Sequence, residues 1–230
     1  MSRGGRAPEW WTVTAADSTT DPAAPDRPRV ILLGGASGAG KSYLARRFGR
    51  PHLPLDAYYR EIGEDPEHGG PGPALPRTDY GEIDWDHHLT WNEQAAVDGI
   101  VELLEEGVTL LPVYEISVSA RTGSTPLALD GPGPIIAEGI FADRMMAALD
   151  RVGVTYAALY IDSPRTVTAV RRFGRDVAER RKPVPFLVQR GWAHFRSDRR
   201  DRERAVAAGF TPVPKARLKR MLREAAAGPR

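Results

Sequence analysis

The chain contains no cysteine among its 230 residues, which excludes disulfides and thiolate metal sites and suits a reducing compartment. It also lacks any apolar stretch approaching the roughly 20 residues needed to span a bilayer, and its first residues lack the apolar core of a secretory signal. These absences predict a cytoplasmic protein with no membrane partner. An excess of one charge is missing too: 32 Lys and Arg stand against 30 Asp and Glu, for a formal net charge of +2. With the basic residues gathered after Arg165, this balance points to a local anion site and away from a polycationic nucleic-acid surface. No N-K-x-D segment occurs, and no Asp-x-x-Gly switch pattern stands at Glu138, so a GTPase is disfavoured.

What the chain does have begins at Arg29. A short apolar run, Val30 to Leu33, leads into G-x-x-x-x-G-K-S and then into a helix-compatible segment through Phe48. Glycines let the backbone of Gly35, Ala36, Ser37, Gly38, Ala39 and Gly40 curl so that successive N–H groups face an anion. Lys41 adds a point charge for β- and γ-phosphates. Ser42 supplies a hydroxyl for Mg²⁺ at a helix start whose positive dipole end faces the phosphates. The implied cofactors are ATP and Mg²⁺.

Further apolar runs at Leu53 to Leu55, Thr109 to Tyr114, Pro134 to Ala137 and Tyr156 to Ile161 read as buried parallel strands. A helix between them carries Val97, Ile100, Val101 and Leu104 on one face, opens at a Thr90-x-x-Glu93 capping box and stops at Gly107. Alternation of strands and helices predicts an α/β fold with a doubly wound, mostly parallel sheet. Residues 1–28 lack apolar periodicity and read as a flexible appendage. Gly63 to Pro76 is so rich in Gly and Pro that it reads as a flexible insertion beside the active face. A second helix is expected from Ser163 as N-cap, carrying Arg171, Arg172 and Arg175 on one face and continuing past Arg180.

Two carboxylates close apolar runs: Asp56 follows Leu53-Pro54-Leu55, and Glu138 follows Ile135-Ile136-Ala137. Both should emerge at the carboxyl edge of the sheet, where ligands bind in open α/β folds. Phosphoryl transfer needs such groups, one to orient or deprotonate an acceptor hydroxyl and others to hold Mg²⁺. Glu138 suits a Mg²⁺ contact through water.

In order along the chain stand G-x-x-x-x-G-K-S, Asp56-x-Tyr58-Tyr59-Arg60, Trp85-Asp86-His87, Pro112-Val113-Tyr114-Glu115, Glu138-Gly139-Ile140 and Arg171-Arg172-x-x-Arg175-Asp176-x-x-Glu179-Arg180. This set resembles the uridine kinase family, within the uridine kinase and phosphoribulokinase group of P-loop kinases. The resemblance runs from about Arg29 to Arg190. It implies a single P-loop kinase domain over 29–230, with an arginine-rich helical lid and following helix at about 165–200. It implies Asp56, Lys41 and Arg175 as catalytic residues, with Arg171 and Arg175 joining the phosphate loop on ATP. The acceptor would meet Asp56, Tyr58, Asp86, Tyr114, Ile116, Ser119, Arg172 and Arg180, and the metal environment would be Ser42, Glu138 and Asp56.

The implied reaction is transfer of the γ-phosphoryl group of ATP to a small hydroxylated molecule, foremost the 5′-hydroxyl of a nucleoside such as uridine or cytidine. Departures from the family pattern bear on that acceptor. Where the family reads P-V-Y-D-F and then a histidine against the pyrimidine, this chain has Ile116 and Ser119; His88 replaces a proline, and Arg181-Lys182-Pro183 replaces G-R-D. A pantothenate- or ribulose-phosphate-like acceptor, or a nucleotide-binding regulatory role, are the alternatives. The sequence leaves a homo-oligomer open.

Overall fold

A computed structural model describes residues 29–164, 168 and 202–227. The expected N-terminal appendage and the arginines at 171, 172, 175 and 180 lie outside the described residues.

Five strands form one parallel sheet in the order β2-β5-β1-β6-β7: β1 Val30–Gly35, β2 His52–Pro54, β5 Ile135–Glu138, β6 Tyr156–Asp162 and β7 Thr211–Pro214. Alternation along β1 builds both faces of the core. Val30 and Leu32 pack with α2 (Glu93–Glu105) and α3 (Ala142–Arg151), while Ile31 and Leu33 pack with α1 (Lys41–Phe48) and α4 (Lys215–Ala226). β5 repeats the scheme, with Ile135 and Ala137 on one face and Ile136 on the other. A strand buried on both sides must be apolar throughout, which is why these runs show no polar alternation. The doubly wound parallel sheet expected from the sequence is present.

The run Thr109 to Tyr114 corrects the expectation of a fifth buried parallel strand. It lies in β3 (Val108–Glu115), which pairs antiparallel with β4 (Ala120–Ala128) in a separate two-stranded ribbon. Only Thr109 is buried along β3, and Leu110 is 64% exposed. The place in the main sheet is filled instead by β7, whose Pro212 and Pro214 are tolerated because β7 is an edge strand paired only to β6.

The start of α2 differs as well. Asn92 is its N-cap, its side chain accepting from the Ala95 N–H at 3.0 Å, whereas Thr90 sits in the preceding 3₁₀ turn His88–Thr90 and donates to the His87 carbonyl at 2.7 Å. Along α2, Leu103 is fully buried, whereas Leu104 is only partly so. The stretch Gly63 to Pro76 contains local structure, with 3₁₀ turns at Ile62–Glu64 and Pro66–His68 on either side of Asp65. The Asp65 carboxylate is fully buried and accepts from Arg77 at 2.8 Å and from the Leu75 N–H at 3.4 Å. Burial would raise its pKa, and those partners together with His68 outweigh burial and hold it below its ordinary value. A satisfied buried ion ties the segment to its surroundings in a way that Gly and Pro counts do not reveal.

Candidate active site

The carboxyl ends of β1, β2 and β5 open onto one cleft of about 990 Å³. At its floor, β1 passes into α1 through the glycine-rich loop. Gly38 and Gly40 have φ of 81° and 98°, which L side chains rarely adopt. A Cβ at Gly40 would also stand 2.4 Å from Lys215 Nζ, which donates to the Ala39 carbonyl from the start of α4. Lys41 Nζ is folded over the loop and donates to the Gly35 carbonyl at 2.8 Å. Gly35 to Gly38 and Gly40 to Ser42 line the cleft; Ala39 is buried beneath them.

Asp56 lies in the 3₁₀ turn Leu55–Tyr58 directly after β2, and its Oδ1 accepts from the Ile140 N–H at 3.3 Å. That approach depends on Gly139, where a Cβ would come within 2.7 Å of the same oxygen. Burial and the neighbouring Glu138 carboxylate push the Asp56 pKa up, against the opposing pull of the Ile140 N–H and Lys41. Glu138 ends β5 and is held differently. His52 Nε2 stands 3.2 Å from its Oε1, and Ser42 also hydrogen-bonds to it. Burial alone would raise the Glu138 carboxyl; the His52 and Ser42 hydrogen bonds and the charge of Lys41 outweigh it and keep the group ionised. Two carboxylates at neighbouring strand ends thus have pKa values driven apart, the pattern expected where one must handle a proton and the other must stay charged.

This oxygen set fits Mg²⁺. The Ser42 hydroxyl and the Glu138 and Asp56 carboxylates are hard donors around Lys41, and among the described residues no three acidic or histidine side chains form a closed cage. Mg²⁺ characteristically takes one or two protein ligands with water and phosphate oxygens for the rest.

Asp86 lies on the cleft wall, with His87 and His88 beside it. Between the two aspartates sits Tyr59, whose hydroxyl pKa is raised by burial and by the Asp56 and Asp86 charges. Tyr59 packs against Trp85, Tyr114 and Phe141 with ring centroids 5.8, 5.7 and 5.8 Å away. Of these rings only Phe141 lines the cleft, and Tyr114 lies behind Tyr59, its hydroxyl donating to the Arg60 carbonyl at 3.1 Å.

Three expected acceptor residues lie elsewhere. Tyr58 is turned into the core, 4% exposed, its hydroxyl without a hydrogen-bond partner among the described residues and its pKa pushed up to about 12 by burial and Glu102. It faces Gly99 of α2, where a Cβ would meet the hydroxyl at 2.4 Å. Ile116 and Ser119 sit at the turn of the β3–β4 ribbon and do not line the cleft. Ile116 is 78% exposed, and Ser119 takes a φ of 50° to close the turn. The sequence reading missed His52, Tyr59, Arg144 and Lys215. Tyr59 stood beside Tyr58, and its inward or outward direction depends on where the 3₁₀ turn ends; His52 and Lys215 carry no local signal.

Curated relatives align with most of the chain. A uridine kinase of Geobacillus kaustophilus is 28% identical over 173 residues, 71% of this chain and 74% of that protein. One from Borreliella burgdorferi is 24% identical over 179 residues, 73% of this chain and 79% of that protein. One from Saccharomyces cerevisiae is 27% identical over 175 residues, 73% of this chain but only 32% of the longer yeast protein. No protein-family model matches the chain. Among solved structures, a protein assigned as a fructose transport system kinase from Silicibacter sp. TM1040 superimposes with a TM-score of 0.54 at 15% identity, covering 85% of this chain and 93% of that one, a likeness of fold. With a glycine-rich loop at the end of β1 and these alignments over about 70% of its length, the chain is similar to the uridine kinases and has the α/β fold of P-loop kinases.

Proposed function

We propose that the protein is an ATP-dependent small-molecule kinase that transfers the γ-phosphoryl group to an alcohol. The observation that carries the proposal is the convergence of Lys41, Ser42, Asp56 and Glu138 in one cleft, with Asp56 raised in pKa and Glu138 lowered. Asp56 orients the acceptor hydroxyl and takes its proton as the new O–P bond forms and the bond between the γ-phosphorus and the bridging oxygen breaks, leaving ADP. Lys41 leaves the Gly35 carbonyl to meet charge on the β- and γ-phosphates. Ser42 and Glu138 would hold the metal. Mg²⁺ supplies charge neutralisation at the phosphate oxygens when bound. Asp86 suits a pair of neighbouring hydroxyls, since its two carboxylate oxygens can each accept one. The names of the relatives make a nucleoside such as uridine or cytidine the first acceptor to assay.

Lys41→Ala tests the reading. With ADP release measured against a panel of hydroxylated acceptors, kcat/KM should fall about 100-fold or more while the fold is retained. Near-native turnover on the working acceptor would overturn it.

A further inference from the structure

The wall of the cleft around Asp86 carries cationic and N–H donor groups that a neutral nucleoside would leave idle. Asp86, His87 and His88 follow one another on it, and the first turn of α3 brings up Asp143 and Arg144 beside them. His87 Nδ1 accepts from the Leu89 N–H at 3.2 Å, so the neutral ring carries its proton on Nε2 and presents a donor at its other end. His88 stacks on His87 with centroids 4.5 Å apart. Burial and the nearby positive charge of Arg144 lower the His88 pKa, with Glu93 opposing them.

Arg144 is exposed, and among the described residues its side chain has no hydrogen bond or ion pair. Arg77, Arg121, Arg151 and Arg202 are paired with carboxylates, while exposed Arg46, Arg217, Arg220 and Arg223 do not line the cleft, so it is the position of Arg144 on the cleft that sets it apart. Asp143, one residue away and on the same cleft, makes no ion pair with it. A guanidinium held in a substrate cleft, always charged and with two parallel N–H groups to offer, matches a carboxylate or phosphate.

We infer that the acceptor carries an anionic group, a carboxylate or a phosphate, which Arg144 and His87 bind while Asp86 holds its hydroxyls. This rests on the kinase reading and narrows its acceptor to an acidic alcohol, with or without a nucleobase.

Matched pairs that differ in one anionic group test it: uridine and orotidine, pantothenol and pantothenate, fructose and fructose 1-phosphate. ADP release is followed with Mg²⁺ and ATP, and binding of the same compounds is read by calorimetry with Mg²⁺ and a non-hydrolysable ATP analogue. The anionic member of at least one pair should exceed its neutral counterpart about 10-fold in kcat/KM. Arg144→Met should raise the KM for that member about 10-fold more than for the neutral one, with Arg144→Lys recovering part of the loss. Equal or better use of every neutral member overturns the inference, as does an Arg144→Met effect that falls on the KM for ATP. Turnover of uridine without binding of any anionic member removes this inference and leaves the kinase reading standing. Arg144-dependent binding of an anionic member without ADP release from any acceptor does the reverse.

Discussion

His52 Nε2 touches Glu138 Oε1 at 3.2 Å across two adjacent parallel strands, with the two side chains only 16% and 8% exposed. Register explains the contact, because Pro54 pairs with Glu138 and places His52 two residues behind on β2. Ser42 hydrogen-bonds to the same carboxylate. On the proposed reading His52 is a positioning residue, acting through Glu138 on the Mg²⁺ that Glu138 and Ser42 would hold.

Removing that donor should loosen Mg²⁺ with limited effect on the fold. Partners that orient a metal ligand typically contribute 10- to 100-fold in metal affinity. His52→Leu should raise the Mg²⁺ concentration for half-maximal activity about 10-fold, and weaken Mn²⁺ binding in the presence of an ATP analogue, read by electron paramagnetic resonance, by a similar factor. His52→Gln retains an N–H donor and should recover most of both. Unaltered Mn²⁺ affinity in His52→Leu would remove the positioning role.

Asp56 offers a test in which activity and stability move in opposite directions. Its folded-state pKa is raised, so ionisation is disfavoured in the folded protein; the group stabilises the fold when protonated at low pH and costs stability once pH climbs past its folded value. Asp56→Asn removes that cost at neutral pH and keeps an oxygen for the Ile140 N–H. The variant should lose at least about 100-fold in kcat while its Tm at pH 7 stays level or rises, as followed by calorimetry. In the parent protein kcat/KM should fall as acid protonates Asp56, beginning above the ordinary carboxylate range. A Tm drop as large as the activity loss would mark Asp56 as a structural aspartate.

Adjacent tyrosines separate the core from the acceptor side. Tyr58→Phe deletes a buried hydroxyl that has no partner among the described residues, so unfolding by denaturant should show stability unchanged or raised by about 1 kcal/mol, with acceptor KM unmoved. Tyr59→Ala removes the ring between Asp56 and Asp86 and should raise acceptor KM about 10-fold with little change for ATP. The opposite assignment of the two effects would mean that the turn is read one residue out of phase.

Much of the catalytic floor was legible in the sequence because its parts are local. The apolar run Val30 to Leu33, the glycines at 35, 38 and 40, and Lys41-Ser42 lie within a few bonds of one another, and the backbone alone sets their geometry. Asp56 and Glu138 were legible by a topological rule, since a residue closing a buried parallel strand must surface at the carboxyl edge. Asn92 outbid Thr90 as the helix cap because two neighbouring residues both offered cap chemistry, and burial of Thr90 decided between them.

By itself, then, the amino-acid order determined a phosphate loop at a strand-to-helix turn, a two-faced parallel core and two carboxylates at its edge, all from short-range spacing and burial on both faces. Tertiary structure alone decided the rest. The apolar run at Thr109 to Tyr114 left the main sheet because its antiparallel partner follows within a short turn, while β7 arrived from far down the chain to take the edge. His52 met Glu138, Lys215 met Ala39, and Arg144 came to line the same cleft as Asp86 across 86, 176 and 58 positions of sequence respectively. Contacts at such separations depend on strand register and helix placement, which no local pattern of residues encodes.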